Sequence, residues 1–238
     1  MHNTLFIAHR GYSQFEKENT LVSFTAAGAI DSFYGIETDI HVTNDNHFIT
    51  IHDENINRVM DDKVSLDVEH SSFEEVRKVR LPDLDNSTNR IDLVIPEYEE
   101  YLKICKKYHK VAVVELKQLF NKEQIKEIID ITKRCEMYDE VVFISFILDD
   151  LIILREEDNN LPAQLLVCEF KPNEHLPIML KYNLDIDADY TSMTKEKIDI
   201  VHENNHKVNV WTVNDIEVAK KLSSYNIDYI TSNYIHNI

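Results

Sequence analysis

The sequence predicts an α/β protein, a (β/α)8 TIM barrel, and three observations support this. Short runs rich in β-branched residues alternate with amphipathic stretches almost to the end of the chain, and such alternation is typical of a parallel sheet. The chain has 238 residues, close to the roughly 250 of a typical barrel. Polar residues follow several of the apolar runs, and in a barrel they would meet on the catalytic face.

Nine runs have the length and composition of β-strands. They are residues 4–8, 35–40, 48–52, 111–116, 141–145, 163–168, 184–187, 207–212 and 227–231. Residues 43–46 (TNDN), between the second and third runs, are turn formers and are far too few for a parallel crossover. We therefore expect a hairpin there, with the third run as an addition beside the second and the other eight runs as the barrel.

The pairing of this hairpin would bring polar residues together. If the turn is centred near Asp45, the numbers of paired residues add up to about 90, so that Asp39 lies beside Ile51. His52 then comes close to Glu37 and Asp39.

Helical patterns lie between most of the strand runs, for example over residues 18–30, 96–108, 122–136, 194–204 and 216–223. Asn19-Thr20 and Ser192/Thr194 stand where N-caps are expected.

Residues 54–95 break the alternation. The segment is long for a βα connection and contains the charged stretch Asp61-Asp62-Lys63. Insertions on a barrel usually cover the catalytic face. We predict a single barrel domain over residues 1–238, in which 54–95 form a small cap with a short helix near 72–79.

Composition limits the possible classes of protein. Apolar residues make up 43% of the chain, enough for one sizeable core, and no apolar run reaches the roughly 18 residues of a membrane span. The first eight residues have no basic leader, so we expect a cytoplasmic protein. Cys105, Cys135 and Cys168 are widely spaced in apolar surroundings, and we expect buried free thiols.

The net charge of −18 argues against nucleic acids and anionic membranes as partners. It leaves room for a phosphate substrate, because a bound cation and a few local positive charges can reverse the sign inside one pocket. We therefore expect a small-molecule substrate, no nucleic-acid partner and no stable membrane association. The sequence leaves the oligomeric state open.

Two clusters of polar residues belong to the first two strand runs. His9-Arg10-Gly11 follows the first run and offers a proton-transfer group, a forked cation for phosphate and a close backbone approach at Gly11. Glu37 and Asp39 alternate along the second run, so their side chains point to one face. Two acids on an apolar face would repel each other unless a divalent cation lies between them, or unless they simply face water.

Two further clusters follow later runs. His52-Asp53 supplies a second histidine, and two histidines suit one general base and one general acid at a phosphodiester. Glu115 and Lys117 also share a face, where they could complete a metal site and hold a phosphate oxygen, or form a plain ion pair. Each cluster alone has a structural explanation, but together they provide a coherent set for phosphodiester cleavage.

In their order along the chain, these residues resemble the glycerophosphodiester phosphodiesterase family. The similar segments are His9-Arg10-Gly11, Glu18-Asn19-Thr20, Glu37-Thr38-Asp39, His52-Asp53, Ile95-Pro96-Glu97, Glu115-Leu116-Lys117, Val210-Trp211-Thr212-Val213-Asn214 and residues 228–233. The ordered set spans nearly the whole chain and is highly specific. The closing strand lacks the glycines that relatives usually carry there, and residues 160–190 match poorly.

The resemblance implies a barrel of the phospholipase C-like phosphodiesterase type. It implies one divalent cation (Mg²⁺ or Ca²⁺, or else Mn²⁺) held by Glu37, Asp39 and Glu115. His9 and His52 correspond to the acid–base pair.

The resemblance also implies substrate contacts. Arg10 and Lys117 correspond to phosphate-binding positions, and Trp211 to an aromatic residue near the glycerol or the leaving group. Glu18 could brace Arg10. Glu169, Asp187 and Asp189 could reach the pocket, and their roles are left open.

The implied activity is metal-dependent hydrolysis of glycerophosphodiesters to glycerol 3-phosphate and an alcohol, as part of glycerol and lipid metabolism. In the implied mechanism, one histidine activates the glycerol 2-hydroxyl for attack on phosphorus, and the other protonates the leaving alcohol. Likeness to phosphoinositide-cleaving barrels favours His9 as the base and His52 as the acid, although direct attack by water stays open.

Two alternative functions also stay open. One is a lysophospholipase D-like activity, if Phe73, Leu81 and Leu84 of the cap line a groove for an acyl chain rather than forming the cap's own core. The other is a non-catalytic protein that binds glycerophosphodiesters.

Overall fold

The structure, a computed structural model, describes residues 4–61 and 64–238. Residues 1–3 of the predicted N-terminus and Asp62-Lys63 of the predicted cap lie outside the described residues. The described strands are β1 (Leu5–Ala8), β2 (Phe33–Val42), β3 (Phe48–Thr50), β4 (Val111–Leu116), β5 (Val141–Ser145), β6 (Ala163–Val167), β7 (Asp185–Asp189), β8 (Val208–Trp211) and β9 (Tyr229–Ser232). The described α-helices are α1 (Leu21–Gly28), α2 (Phe73–Lys78), α3 (Tyr98–Tyr108), α4 (Lys122–Arg134), α5 (Leu148–Glu157), α6 (Pro172–Tyr182), α7 (Lys195–Glu203) and α8 (Ile216–Ser224).

The strands close into a barrel, which confirms the predicted (β/α)8 fold class. Neighbouring strands follow the order β1, β9, β8, β7, β6, β5, β4, β2, and β2 also pairs with β1 to close the ring. All pairs within this ring are parallel. Each predicted strand run corresponds to one observed strand. Because parallel strands all end on the same side, their carboxyl ends meet at one rim of the barrel.

The third strand is the predicted addition outside the barrel. It pairs antiparallel with the end of β2 in the register Ile40↔Thr50, His41↔Ile49 and Val42↔Phe48. The pairing continues beyond β3, where the Ile51 amide donates to the Asp39 carbonyl at 3.0 Å. The hairpin register expected from the turn is therefore confirmed, and it carries β2 well past its neighbours at the rim.

The closing strand forms although it lacks the glycines expected there. Four consecutive residues of β9 pair with β1, from Tyr229 opposite Leu5 to Ser232 opposite Ala8. Asn226, just before this strand, has a φ of 64°. Asparagine tolerates this left-handed region better than most side chains, so it can provide the turn that a glycine would otherwise make.

The cap has its own small core. Its helix α2 begins at a capping box formed by Ser72 and Glu75. Leu81 is buried in an apolar cluster of the cap, and Phe73 packs against the same cluster, whereas Leu84 is 51% exposed. Of the two readings of these residues, the contacts of Phe73 and Leu81 favour a structural core over a groove for an acyl chain.

The cysteines follow the sequence expectation with one exception. All three cysteines are free, and Cys105 and Cys135 are buried, but Cys168 is exposed. The expectation of a buried thiol was wrong for Cys168, because this residue lies just after the end of β6, where the chain leaves the barrel wall.

No helix among residues 4–61 and 64–238 is long and apolar enough to cross a bilayer.

Lys110 ties the connection after α1 to the start of β4. The residue is only 5% exposed, and its ammonium group donates to the carbonyls of Ile30 at 2.8 Å, Asp31 at 3.2 Å and Phe33 at 2.6 Å. Hydrogen bonds from a charged donor are stronger than those between neutral groups. This contact therefore fixes the beginning of β2, the strand that carries two of the predicted metal ligands at its other end.

Replacing Lys110 with Met should destabilise the fold by about 2–4 kcal/mol, because three backbone carbonyls lose a buried charged donor. Urea unfolding followed by circular dichroism measures the change. Lys106→Met is the matched control, since Lys106 is 47% exposed and pairs with Glu136 on the surface, and it should cost less than about 1 kcal/mol. Equal stability of the two variants would contradict the structural role of Lys110.

Candidate active site

Three buried carboxylates converge at the rim. Glu37 and Asp39 lie two residues apart on β2 and share a face, and the β2–β4 register sets Asp39 opposite Glu115. One ligand atom from each of the three residues lies within 4.8 Å of the other two. The structure thus brings the three predicted metal ligands together.

The local charges explain why these acids suit a cation. Burial and the neighbouring carboxylates raise the pKa of Glu37 well above its usual range, and burial together with Asp39 raises the pKa of Glu115 to about 8. Burial would also raise the pKa of Asp39, but Arg10, His52 and Lys117 outweigh it and lower the pKa. Ionisation of all three carboxylates would therefore place more negative charge in the site than Arg10 and Lys117 neutralise, and a bound divalent cation would balance it.

Two carboxylate oxygens at the centre of the cluster test whether a metal fits. Glu37 Oε1 and Asp39 Oδ1 are buried and have no hydrogen-bond partner among the described residues. A buried acceptor without a partner costs free energy, and a cation bound by these atoms would remove that cost. The donors are all carboxylate oxygens, which suit Mg²⁺, Ca²⁺ or Mn²⁺.

The loop after β1 places Arg10 against the acids. Its backbone amide donates to Glu37 Oε2 at 2.7 Å, and its Nε lies 3.4 Å from Asp39 Oδ2. Gly11 has a φ of +79°, and a Cβ there would lie only 2.2 Å from the Ser23 hydroxyl. The backbone at Gly11 therefore packs closely against α1, which is the close approach expected at this glycine. This contact turns the chain so that Arg10 faces the carboxylates.

Asn19, the residue before the N-cap of α1, forms hydrogen bonds that support the same carboxylate cluster. Its amide nitrogen donates to Asp39 Oδ2 at 2.8 Å, and its oxygen accepts from the Thr38 hydroxyl at 2.8 Å. Thr20 is the N-cap, as predicted for this dipeptide. Asn19 itself is instead part of the hydrogen-bonded support of the carboxylates.

His9 is held in one tautomer. Its Nδ1 lies 2.7 Å from the side-chain oxygen of Asn233, an acceptor, so Nδ1 carries the hydrogen and Nε2 keeps a free lone pair. Burial and the charge of Arg10 lower the pKa of His9 to about 4. His9 is therefore neutral at pH 7 and able to accept a proton.

His52 has a different partner. Its Nδ1 lies 2.6 Å from Asp53 Oδ1, and a carboxylate in that position stabilises the protonated imidazolium. Burial, Arg10 and Lys117 lower the pKa of His52, while Asp39 and Asp53 oppose the shift. The two histidines thus differ in their partners, which are a neutral amide oxygen for His9 and a carboxylate for His52.

A chain of ion pairs joins the cap to both sides of the site. Arg58, in a short 3-10 helix of the cap, donates to Asp53 Oδ2 at 2.6 Å and to Glu18 Oε1 at 2.7 Å. Glu18 in turn accepts from Arg10 at 3.0 Å. Bracing of Arg10 by Glu18 is thus observed, and Arg58 links that brace to the Asp53 that holds His52.

These groups surround one narrow cavity of about 110 Å³. Every predicted site residue except the fully buried Asp39 lines it, and Lys117 also donates to Glu115 at 2.7 Å. The opposite wall contains apolar side chains, including Trp211 and Phe146, whose rings meet edge to face at 5.6 Å between centroids. The cavity therefore has a charged wall on β1, β2 and β4 and a largely apolar wall on β5, β6 and β8.

Of the three acids whose roles were open, Asp187 lines the cavity. Glu169 is exposed and lies 3.7 Å from Lys171, and Asp189 caps the short helix at 190–192. Sequence reasoning missed the supporting roles of Asn19, Asn233 and Arg58. The signals were their positions, since Asn19 and Asn233 lie inside segments that resemble the family and Arg58 follows His52-Asp53 by a few residues.

The fold and this site define the class of protein, a phosphoric diester hydrolase built on an α/β barrel. The chain belongs to the glycerophosphoryl diester phosphodiesterase family, because the model of that family matches residues 9–237. The resemblance drawn from the sequence motifs is thereby confirmed.

Individual relatives and solved structures match this chain over nearly its whole length. A glycerophosphodiester phosphodiesterase from Bacillus altitudinis is 24% identical and shares 97% of this chain and 95% of its own length. A structure of an Oleispira antarctica phosphodiesterase in complex with the product sn-glycerol-3-phosphate has a TM-score of 0.89 at 21% identity, covering 98% of this chain and 94% of the other. A structure of a putative glycerophosphoryl diester phosphodiesterase from Silicibacter pomeroyi has a TM-score of 0.85 at 19% identity, covering 97% of this chain and 90% of the other. At these identities the two structures show the common fold.

The ion pairs of Glu18 with Arg10 and Arg58 should make the free energy of unfolding depend on pH. Burial would raise the pKa of Glu18, but its hydrogen bonds from Arg58 and Arg10 lower it from 4.5 to about 2. The carboxylate therefore stabilises the folded state above about pH 4.5, and this contribution is lost as the pH falls through about 2. Glu18→Gln should cost about 2–3 kcal/mol at pH 7, and urea unfolding between pH 7 and pH 3 should show the cost shrinking.

Glu99→Gln is the control for this measurement, because Glu99 is half exposed and pairs with Lys103 along one helix. It should cost less than about 0.5 kcal/mol at either pH. If Glu18→Gln lowered the free energy of unfolding by the same amount at every pH, the ion pairs of Glu18 with Arg10 and Arg58 would not stabilise its ionised form.

Proposed function

We propose that this enzyme hydrolyses glycerophosphodiesters to glycerol 3-phosphate and an alcohol, using one divalent cation and two histidines. The observation that carries the proposal is the convergence of three buried carboxylates and two differently paired histidines on one cavity. Glu37, Asp39 and Glu115 would hold the cation. When bound, it would supply Lewis acidity that lowers the pKa of a hydroxyl and offsets phosphate charge.

His9 is suited to act as the general base. Because Asn233 fixes the hydrogen on Nδ1, Nε2 can take the proton from the 2-hydroxyl of the glycerol. The resulting alkoxide attacks phosphorus and forms a cyclic phosphate as the bond to the leaving alcohol breaks. His52, paired with Asp53, gives its proton to that alcohol. Water then opens the cyclic phosphate with the histidines in reversed roles.

Arg10 and Lys117 supply positive charge to the phosphate. Both line the cavity, and both are held near the carboxylates, Arg10 through Asp39 and Lys117 through Glu115. These contacts keep the two cations in position, so little reorganisation is needed as charge develops on the phosphoryl oxygens. Trp211 offers an apolar face for the carbon chain of the glycerol.

The surroundings favour a small substrate. The cavity is narrow, and Phe73 and Leu81 of the cap belong to the cap's own core. A net charge of −18 disfavours anionic surfaces outside the pocket. The free cysteines are in keeping with a reducing compartment, for which we propose the cytoplasm.

The proposal is tested by release of choline or ethanolamine from glycerophosphocholine and glycerophosphoethanolamine, each assayed beside its acylated counterpart, with glycerol 3-phosphate measured as the second product of the unacylated diesters. We expect turnover of the unacylated diesters, loss of turnover with EDTA, and recovery on adding Mg²⁺, Ca²⁺ or Mn²⁺. Activity that is indifferent to chelation would remove the role of the three carboxylates. Binding of the diester without turnover in any of these cations would mean that the chain only binds its ligand, and faster turnover of the acylated substrates would favour the lysophospholipase D-like activity.

The histidine roles are tested by single replacement. His9→Ala and His52→Ala should each lower kcat by roughly 10²–10⁴-fold, since each removes one proton transfer. His47→Ala is the control, because His47 lies at the hairpin turn and stacks on Phe73 away from the cavity, and it should retain nearly full activity. Near-normal kcat in either active-site variant would reject the assignment for that residue.

A further inference from the structure

Asp187 is a buried acid that the proposed mechanism does not use. It lies on β7 and is only 1% exposed, yet it lines the same cavity as the two histidines. In the ring of eight strands, β7 is four strands away from β2 in either direction. Asp187 therefore approaches the cavity from the side opposite the strand that carries Glu37 and Asp39.

One oxygen of this carboxyl group is held and the other is not. Oδ2 accepts from the Asn209 side chain at 3.0 Å, and Asn209 is itself fixed by the Thr231 hydroxyl at 3.2 Å. Oδ1 is buried and has no hydrogen-bond partner within residues 4–61 and 64–238. Because nearly all buried polar atoms in folded proteins have a partner, this oxygen points to a ligand that supplies one.

The neighbours of Asp187 suggest what that ligand is. On β6 the residue paired with it is Leu166, and on β8 the Trp211 indole nitrogen donates to the Asp187 backbone carbonyl at 3.4 Å. Leu166 and Trp211 both line the cavity. A polar group between two apolar side chains matches a ligand with a short carbon chain and a hydroxyl group.

We infer that Asp187 binds the hydroxyl on C1 of the glycerol, the one that remains when C3 carries the phosphate and the 2-hydroxyl attacks. This inference rests on the proposed function and makes Asp187 a specificity-determining residue. A hydroxyl group both donates and accepts, so it pairs with a carboxyl group in either protonation state. A buried site built for a hydroxyl discriminates strongly against an analogue that lacks it, because the protein group is then left unpaired.

Two substrates distinguish binding of the C1 hydroxyl by Asp187 from a structural or metal-binding role of this residue. One is glycerophosphoethanolamine, and the other is the same diester built on propane-1,2-diol, which keeps the attacking 2-hydroxyl and lacks the hydroxyl on C1. The wild-type enzyme should favour the glycerol ester in kcat/KM by about 10–100-fold. Asp187→Ala should reduce this preference to less than about 3-fold, through slower turnover of the glycerol ester with little change for the propanediol ester.

Asp189→Asn is the matched control on the same strand, since Asp189 caps the helix at 190–192 rather than lining the cavity, and it should keep the wild-type preference. Three results would overturn the inference. The first is an unchanged preference in Asp187→Ala. The second is an equal loss on both substrates, which a purely structural role would give. The third is a loss of cation affinity in a direct titration, which would make Asp187 a metal ligand instead.

A binding measurement on the wild-type protein keeps the test valid if Asp187→Ala fails to fold. Glycerol 3-phosphate should bind about 10–100-fold more tightly than 2-hydroxypropyl phosphate in isothermal titration, and equal affinities would reject the role of Asp187. Failure of the proposed function gives a different result, because the wild-type enzyme would then release phosphate monoester from neither diester.

Discussion

Mutual repulsion of three buried carboxylates is the constraint on which the rest of this site depends. Glu37, Asp39 and Glu115 are held within a few ångströms by the strand register, where water cannot screen them. The register leaves no freedom to move them apart, because a shift by one residue would turn each side chain to the other face of its strand. The surrounding groups must therefore supply positive charge and hydrogen-bond donors at fixed positions.

The chain meets this demand with residues from neighbouring elements. The loop after β1 contributes both the backbone amide and the side chain of Arg10, and the end of β4 contributes Lys117. Asn19 adds an amide donor from the start of α1. These partners stabilise some oxygens of the cluster and leave others open, which is the arrangement expected of a site that binds a cation and a phosphate together. The cap is tied to this arrangement through Arg58, so that cap and barrel rim share one electrostatic network.

The part of the fold that the sequence predicts is the part governed by local rules. Strand runs, the hairpin at 43–46 and the capping residue Thr20 depend on short-range patterns, and the structure confirms them. Helix α6 contains an internal proline, Pro177, which blurs the helical pattern, and neither α5 nor α6 is among the examples of helical patterns named from the sequence. The contact of Asn233 with His9 joins residues 224 positions apart, and no local sequence pattern predicts a contact over such a distance. Motif order located the residues of the candidate site, whereas their supporting partners depend on how the ring of strands closes.

The two walls of the cavity differ in a way that orients a substrate. A phosphate is drawn toward the cations on β1 and β4, because moving it toward the apolar side chains of β5 and β6 would desolvate its charge without compensation. A short carbon chain has the opposite preference and gains by contact with Trp211 and Leu166. Under the proposed function, a glycerophosphodiester would then bind with its glycerol toward β7 and β8, and its leaving alcohol toward the cap and His52. The direction of binding would thus be set by the distribution of charge around the ring of strands, before any specific hydrogen bond forms.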